Sequence, residues 1–236
     1  MRLSKGLAFL ALVLGLAVPS RARQLSDLRS DARLLTGDTG SSTRVRYTNA
    51  QWNDWLNEGQ AILADRSWCI IRSTSFPLIS GTTYYATRTD FRAVKRLTRD
   101  WLELKEKSPE SLDGKSRGWE ERDGLPINYF VNFASRSLVG FVPFPNDSSS
   151  TGTIRMEYYT DVTDMSADSN QPFEGINELY GFHHALAYYA AHKAAVVDGR
   201  FKAAETFYGM FELLAKKMEE NCRARPSYLP SAVGSQ

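Results

Sequence analysis

Three apolar segments near the middle of the chain decide its fold: Ile127-Asn-Tyr-Phe-Val-Asn-Phe133, Ser137-Leu-Val-Gly-Phe-Val-Pro-Phe-Pro145 and Thr153-Ile-Arg-Met-Glu-Tyr-Tyr159. Short polar stretches separate them, and the two outer segments alternate apolar with polar residues, which is typical of half-buried strands. Pro143 and Pro145 lack the backbone N–H that a sheet ladder uses, so the middle strand must stop there or run along an edge. The sequence therefore predicts a unit of three strands joined by short turns.

Helical patterns precede this unit. Apolar residues recur at helical spacing from about 25 to 35. A second helix has the clearest start signal in the chain, because Thr48 and Gln51 are placed to form a capping box and Tyr47 can pack on Trp52. The apolar stripe of this helix is expected to exclude its polar residues, Asn53, Asp54, Asn57 and Gln60.

Two longer helices follow the strands. Helical spacing predicts one over 175–197 and another over 201–221, with a break at Asp198-Gly199. Many alanines in the first of these helices permit a neighbouring helix to approach closely. His183 falls on its apolar stripe, which indicates a core histidine.

The remaining segments carry mixed signals. Residues Ile70 to Thr87 are rich in β-branched and aromatic side chains and contain a turn signal at Gly81, which predicts a hairpin. Phe91 to Lys107 has the pattern of a strand followed by a helix. Ser108-Pro109-Glu110 favours a new helix with proline at its first position. Asp161 to Pro172 is expected to be a solvated polar loop.

Together these patterns predict an α+β fold, a helical bundle with an inserted antiparallel β hairpin or sandwich region. The predicted organisation is a signal-like or extra apolar segment over 1–24, one domain over 25–222 and an extended C-terminal tail over 223–236. Within the domain, the helical core is predicted at 25–66, 92–123 and 175–221, and the β insertions at about 69–91 and 127–160.

The N-terminus has the layout of a secretory signal. Basic residues at the start precede an apolar stretch from Gly6 to Val18, and Ser20-Arg21-Ala22 supplies small residues for cleavage. This stretch is short of the roughly 20 residues that cross a bilayer. Three explanations stay open: an export signal, a start codon assigned upstream of the true one, and an ordinary apolar helix.

Composition limits the possible functions. The net charge is +2 in a chain of 26.6 kDa, and Arg2, Lys5 and Arg21 lie in the first 22 residues, so no basic field is available to wrap nucleic acid. The two cysteines, Cys69 and Cys222, do not form a metal-ligand cluster and are expected to be thiols.

No motif in the chain makes a convincing active site. Asp38-Thr-Gly-Ser-Ser42 spells the signature of pepsin-like proteases, but it follows a predicted helix and has no second copy for the required aspartate pair. The three histidines lack carboxylates at zinc-ligand spacing, and the chain has no nucleophile elbow or phosphate loop. The sequence therefore predicts a protein that is not an enzyme, with no catalytic residues, no cofactor and no metal.

The collinear order of several motifs resembles the tailed-phage adaptor, or head–tail connector, family. The likeness covers about residues 25–221, and its parts are Trp55-Leu-Asn-Glu-Gly-Gln60, Gly81-Thr-Thr-Tyr-Tyr85, Thr89-Asp-Phe-Arg-Ala-Val-Lys-Arg-Leu97, the span 126–159 and Phe173-Glu-Gly-Ile-Asn-Glu-Leu-Tyr180.

The resemblance implies a structural virion protein, assembled in the host cytoplasm. Such adaptors form a ring, usually a dodecamer, under the portal protein; the ring extends the DNA channel and docks tail or nozzle proteins. The implied partners are the portal, the tail proteins, further copies of the chain and double-stranded DNA that passes through, with no membrane. Candidate interface residues are the aromatics Trp101 and Trp119, both expected to be exposed, and Arg223, Arg225 and Tyr228 near the C-terminus. The alternative is an exported bacterial binding protein of unknown ligand with a cleaved signal peptide, located in the periplasm or secreted.

Overall fold

The computed structural model of the chain describes residues 22–39, 46–114, 118–131, 138–146 and 152–223. The chain divides into two compact units, one formed by residues up to 63 together with those from 163 onward, the other by residues 64–162. The first unit is helical and the second contains two β-sheets, so the predicted α+β class is confirmed. Most of the signal-like segment and nearly all of the C-terminal tail lie outside the described residues.

The elements follow one another in a simple order. In the described ranges the helices are α1 (Leu25–Thr36), α2 (Asn49–Ser67), α3 (Pro109–Asp113), α4 (His183–Val197) and α5 (Phe201–Arg223). The strands are β1 (Ile71–Pro77), β2 (Tyr84–Ala86), β3 (Phe91–Arg99), β4 (Leu102–Glu103), β5 (Lys105–Glu106), β6 (Asn128–Val131), β7 (Leu138–Val142) and β8 (Thr153–Thr160). Short 3-10 turns lie at Trp119–Glu121, Pro172–Gly175 and Asn177–Phe182.

The start of α2 confirms the predicted capping box. The Gln51 backbone N–H donates to Thr48 Oγ1 at 3.2 Å, and the Thr48 N–H donates to Gln51 Oε1 at 2.9 Å. Tyr47 packs edge-on against Trp52, with the two ring centroids 5.6 Å apart. The cap and the aromatic pair together fix the direction in which the chain enters α2.

Close packing of α2 on α4 depends on small residues. Six alanines of α4 are at most 1% exposed, so this helix is buried on nearly every side. On α2, a Cβ atom added to Gly59 would lie 3.0 Å from Cδ1 of Tyr189. Gly59 thus lets the Tyr189 ring approach the backbone of α2 closely.

The helix expected from Gly175 begins later, at His183. Phe173, Glu174 and Gly175 have φ values of 52°, 56° and 73°, which are left-handed and incompatible with an α-helix. Residues 177–182 form the tighter 3-10 turn before α4 starts.

The β unit is a sandwich of two four-stranded sheets. The strand order is β1-β8-β3-β4 in one sheet, called sheet A here, and β2-β7-β6-β5 in the other, called sheet B. Side chains from both sheets form one hydrophobic core, which includes Leu97, Ile154 and Met156 from sheet A and Tyr129 and Phe141 from sheet B. The chain passes between the sheets four times, and two of these crossings, from β1 to β2 and from β4 to β5, join edge strands.

Three of the four edge strands are short, whereas the fourth, β1, has seven residues. The edge strands β4 and β5 contain two residues each and β2 contains three, whereas the inner strand β8 contains eight. In sheet B, β7 ends at Val142, directly before Pro143. This confirms the predicted stop, because proline has no backbone N–H for a sheet hydrogen bond.

The structure corrects three predictions about strands. Ile70 to Thr87 is not a hairpin, because β1 pairs with β8 in sheet A while β2 pairs with β7 in sheet B. The segment 92–123 is not part of a helical core: it continues β3, which pairs with β8, and then forms β4 and β5. Its described helical residues are the five of α3 and the short 3-10 turn at Trp119–Glu121. The three strands quoted first do not share one sheet, because β6 and β7 pair with each other while β8 lies in sheet A.

The expected state of the cysteines is also wrong. Neither Cys69 nor Cys222 is a free thiol in the structure. Cys69 is buried at 4% exposure, directly before β1, and Cys222 lies in the last turn of α5.

Candidate interaction surface

The turn between β3 and β4 presents the most exposed aromatic side chain of the described residues. Arg99 pairs with Leu102 across the hairpin, so Asp100 and Trp101 form a two-residue turn. Their φ values are 42° and 75°, the left-handed pair that a type I′ turn requires. Trp101 is 85% exposed at the tip.

This turn has an unusual sequence for its shape. Type I′ turns favour Asn-Gly, because glycine alone adopts a left-handed φ without steric cost. A tryptophan at such a position is rare and strained. The tip therefore holds a large apolar side chain in solvent at the one place where a small residue fits best.

The base of the turn is firmly packed. Leu97 and Leu104 are 0% and 3% exposed in the sandwich core, and the Leu104 backbone N–H donates to Leu97 O at 2.9 Å. Leu102, next to the tip, is 52% exposed and adds apolar surface to that of Trp101. The core residues on either side thus hold the tip in one orientation.

Charges around the tip compensate one another. Arg99 Nε lies 3.4 Å from Asp100 Oδ2, and Arg96 Nε lies 3.6 Å from Glu103 Oε2. The side chains of Asp100 and Glu103 are more than half exposed, so solvent screens both ion pairs. Among the described residues, the tip thus combines apolar area with two pairs of opposite charge.

Trp119 does not belong to this surface, and the expectation that it is exposed is wrong. It is 5% exposed, and its indole N–H donates to Asp113 Oδ1 at 2.7 Å. Its ring packs edge-on against Phe130 at 5.3 Å. A Cβ atom added to Gly140 would lie 2.2 Å from Phe130 Cζ, so the Phe130 ring covers that glycine. Trp119 closes a small second core on sheet B, which the spacing of aromatic residues did not reveal.

The other candidate interface residues lie near the C-terminus. Arg223 is the last residue of α5, its side chain is 78% exposed, and one guanidinium nitrogen lies 3.9 Å from Glu219 Oε2. Arg225 and Tyr228 lie outside the described residues. Arg223 and Trp101 belong to different units of the chain.

Sequence reasoning missed a second feature, the ordered segment 163–175. The side-chain amide of Asn57 exchanges two hydrogen bonds with the backbone of Met165, at 2.9 Å and 3.1 Å. Gln60, fully buried, accepts from the Phe173 N–H at 2.8 Å and donates to Thr163 O at 3.1 Å. The signal was present, because Gln60 stands four residues after Leu56 and three before Leu63 on the buried stripe of α2.

The same segment lines a cleft of about 430 Å³. Its wall is mostly polar and includes Thr163, Asp164, Ser166, Ser169, Gln171 and Glu174. Among the residues that the structure describes, no group of three or more histidine, cysteine, aspartate or glutamate side chains is placed to hold a metal ion. The cleft thus offers hydrogen-bonding groups but no assembled cation site.

His183 and Asp38, which the sequence raised as a possible metal ligand and a possible catalytic aspartate, each bond to the backbone of another segment. His183 is fully buried, and burial together with nearby His184 lowers its pKa to about 4; its Nδ1 accepts from the Arg23 N–H at 3.3 Å. Asp38 follows α1 and accepts a hydrogen bond from the Arg46 N–H at 3.0 Å. His183 is therefore the core histidine that its position on the apolar stripe predicts. Asp38 links the end of α1 to the residues that precede α2.

Comparison with known proteins gives a family match. The family model described as SU10 adaptor protein matches residues 23–233, nearly the whole chain after the signal-like segment. No curated protein matches the chain. Within the described ranges, no helix is both long enough and apolar enough to span a bilayer.

Proposed function

The chain belongs to the SU10 adaptor protein family, and from this premise we propose that it forms a ring beneath the portal of a phage capsid. The family assigns it to the phage adaptors, structural virion proteins that act with portal and tail proteins, which favours a role without catalysis. The proposal goes further: the ring, a dodecamer, lengthens the DNA channel and carries the face on which the tail docks. The match over 23–233 is the observation that carries it.

A ring of identical subunits needs two different faces on each subunit, because each contact must be head-to-tail and must close by rotation. The mixed charges between Lys105 and Asp123 suit such contacts, since opposite signs can meet across them. The near-balanced charge of the chain also suits a channel through which DNA slides. A strongly basic wall would retain DNA by releasing the counterions of its phosphates.

The C-terminal end is proposed as the contact with the portal. Arg223 ends α5 with its guanidinium in solvent, and the chain continues through Arg225 and Tyr228. Arginine and tyrosine are enriched among residues that dominate protein interfaces. The comparisons lend no support to the alternative of an exported binding protein, and no further function is proposed for it.

The test is reconstitution with the portal protein of the same phage. Purified portal rings and this chain are mixed and analysed by size-exclusion chromatography with light scattering and by electron microscopy of the particles. The expected result is a stable complex with one added ring of this chain. Absence of any complex over a wide range of ratios would overturn the proposal, whereas a lone monomer without portal would not.

A variant pair tests the proposed portal contact. Arg223→Glu is expected to weaken portal binding by at least about tenfold, since a hot-spot residue contributes 2 kcal/mol or more. Lys216→Glu, an exposed position on the same helix, makes the same change of charge and is the control. Equal binding of the two variants would remove Arg223 from the contact.

A further inference from the structure

We propose that the polar cleft of segment 163–175 binds residues 224–236 of the same chain, and that it stores them there until the subunit meets the portal. The storage step rests on the proposed function, which assigns Arg225 and Tyr228 to the portal contact. The binding site itself does not depend on that function.

The end of α5 lies near the chain that leads out of the cleft. The His192 ring lies 4.9 Å from that of Tyr208, and the Tyr189 ring lies 5.0 Å from that of Phe211, so α4 and α5 run antiparallel. The end of α5 therefore points toward the start of α4, where α5 packs against the 3-10 turn Asn177–Phe182. A single residue separates that turn from the cleft segment.

Segment 224–236 is long enough to reach the cleft from there. The six residues of the 3-10 turn span about 12 Å. The 13 residues of 224–236, which follow α5 directly, can extend to about 43 Å. A segment tethered this closely has an effective concentration in roughly the millimolar range, so weak contacts suffice to fill the cleft. A separate molecule with the same contacts would need that concentration in solution, which favours the chain's own segment.

The cleft wall and the segment have matching hydrogen-bonding groups. Hydroxyl and side-chain amide groups of the wall belong to Thr163, Ser166, Ser169, Asn170 and Gln171. In the segment, Pro226 and Pro230 favour the polyproline II conformation, whose backbone groups make no hydrogen bonds to one another. Such a backbone keeps its donors and acceptors for the wall. The volume of about 430 Å³ lies in the range of ligand-binding clefts, roughly 300 to 1,000 Å³.

Charge also favours this occupant. Asp164 and Glu174 line the cleft, whereas no lysine, arginine or histidine is among its described lining residues. Asp164 is exposed, and no ion pair joins it to another described residue. Arg225 is the one charged side chain of 224–236, and it has the opposite sign. An ion pair between Arg225 and Asp164 therefore orients the segment in the cleft.

Occupation of the cleft has a consequence for assembly. In the free subunit, Arg225 and Tyr228 are held by the cleft and are not presented to the portal. Portal binding then depends on the fraction of subunits whose segment is released, and its apparent affinity is lower by that fraction. Contact with the portal and contact with the cleft exclude each other.

Hydrogen exchange, measured by mass spectrometry on the full chain without portal, tests the binding site. Arg225→Glu is expected to speed amide exchange in 224–236 and in 163–175 by about three- to fivefold, because attraction to Asp164 becomes repulsion. Lys216→Glu makes the same change of charge at an exposed position of α5 and is expected to alter neither segment. Addition of Asp164→Arg to the Arg225→Glu chain is expected to restore the parental rates.

Three results of this measurement would overturn the proposal. The first is equal exchange of the parent and Arg225→Glu chains in both segments. The second is faster exchange in 224–236 alone, because the segment would then lie outside the cleft. The third is exchange that slows as the protein concentration rises, because the occupant would then come from a second copy of the chain.

The variant Asp164→Lys tests storage separately. It removes the attraction in the cleft and leaves 224–236 unchanged, so binding to the portal is expected to become about three- to fivefold tighter. Glu205→Lys, at an exposed position near the start of α5, is the control. Parental portal affinity of Asp164→Lys would overturn the storage step. Failure of every chain, the parent included, to bind the portal would overturn the proposed function, and the exchange rates would still decide whether the cleft binds the segment.

Discussion

Two tryptophans, 18 positions apart and both surrounded by charged residues, have opposite environments in this protein. Trp101 is 85% exposed on the β3–β4 turn, and Trp119 is 5% exposed over sheet B. The difference comes from what each can reach. Trp119 has Asp113 to accept its indole N–H and the Phe130 ring to pack on, while Trp101 stands on a two-residue turn and is 85% exposed. Burial of an aromatic side chain thus depends on the chain opposite it and not on its sequence neighbours.

Truncation of the two tryptophans gives the largest contrast. Trp119→Ala is expected to lower the free energy of unfolding by about 3 kcal/mol, because it empties a buried site. Trp101→Ala is expected to change it by less than about 0.5 kcal/mol, as for other exposed sites. Urea unfolding followed by far-UV circular dichroism measures both. Similar losses in the two variants would break the comparison.

The glycine beneath Phe130 is the next largest effect. Gly140→Ala is expected to cost about 2 kcal/mol, since a Cβ atom there would lie 2.2 Å from Phe130 Cζ and the ring must move. Gly209→Ala on α5 is the control, because nothing lies within 4 Å of a Cβ atom there. It is expected to stabilise the protein by up to about 1 kcal/mol. A stabilising Gly140→Ala would mean that Phe130 does not cover the glycine.

The hydrogen bond of Trp119 sharpens the comparison further. Asp113→Ala is expected to cost about 1 kcal/mol in the free energy of unfolding, since the indole N–H loses its acceptor. Asp113→Asn keeps a carbonyl oxygen at the same place and is expected to retain most of that stability. Equal losses in the two variants would show that the charge of Asp113, and not its bond to Trp119, is what stabilises the fold.

The smallest effect concerns the backbone at Trp101. Trp101→Gly is expected to be more stable than Trp101→Ala by about 0.5 to 1 kcal/mol, because only glycine relaxes at a φ of 75°. The difference in unfolding midpoint between these two variants measures the strain, since both lack the aromatic ring. A more stable alanine variant would place the turn in a different conformation.

Local signals predicted the ends of elements well. The capping box of Thr48 and Gln51, the packing of Tyr47 on Trp52 and the stop of β7 before Pro143 each depend on residues within a few positions of one another. These interactions involve residues close in sequence, so they can be predicted without knowing which distant segments pack together.

Pairing between distant strands could not be predicted in the same way. The residues from Ile70 to Thr87 have hairpin composition, yet β1 and β2 pair with strands that come more than 50 residues later. The arginine-rich β3 was expected to end in a helix and pairs with β8 instead. In each case a partner far along the chain outweighs local preference.

The candidate surface was predicted in part. Trp101 was expected to be exposed and is, but the left-handed turn beneath it follows from the pairing of Arg99 with Leu102, which the sequence does not display. Gln60 was assigned to a polar face although its spacing from Leu56 and Leu63 places it among buried residues. A buried polar side chain on an apolar stripe indicates a hydrogen-bond partner nearby. Here Gln60 bonds the backbone of Thr163 and Phe173, within the segment 163–175.

The shortness of β2, β4 and β5 has a consequence for aggregation. Long uncovered strands let separate molecules zip together into insoluble fibres, and borders of two or three residues give such growth little to hold. Three of the four edge strands thus offer another molecule little backbone to pair with, and the fourth, β1, has seven residues.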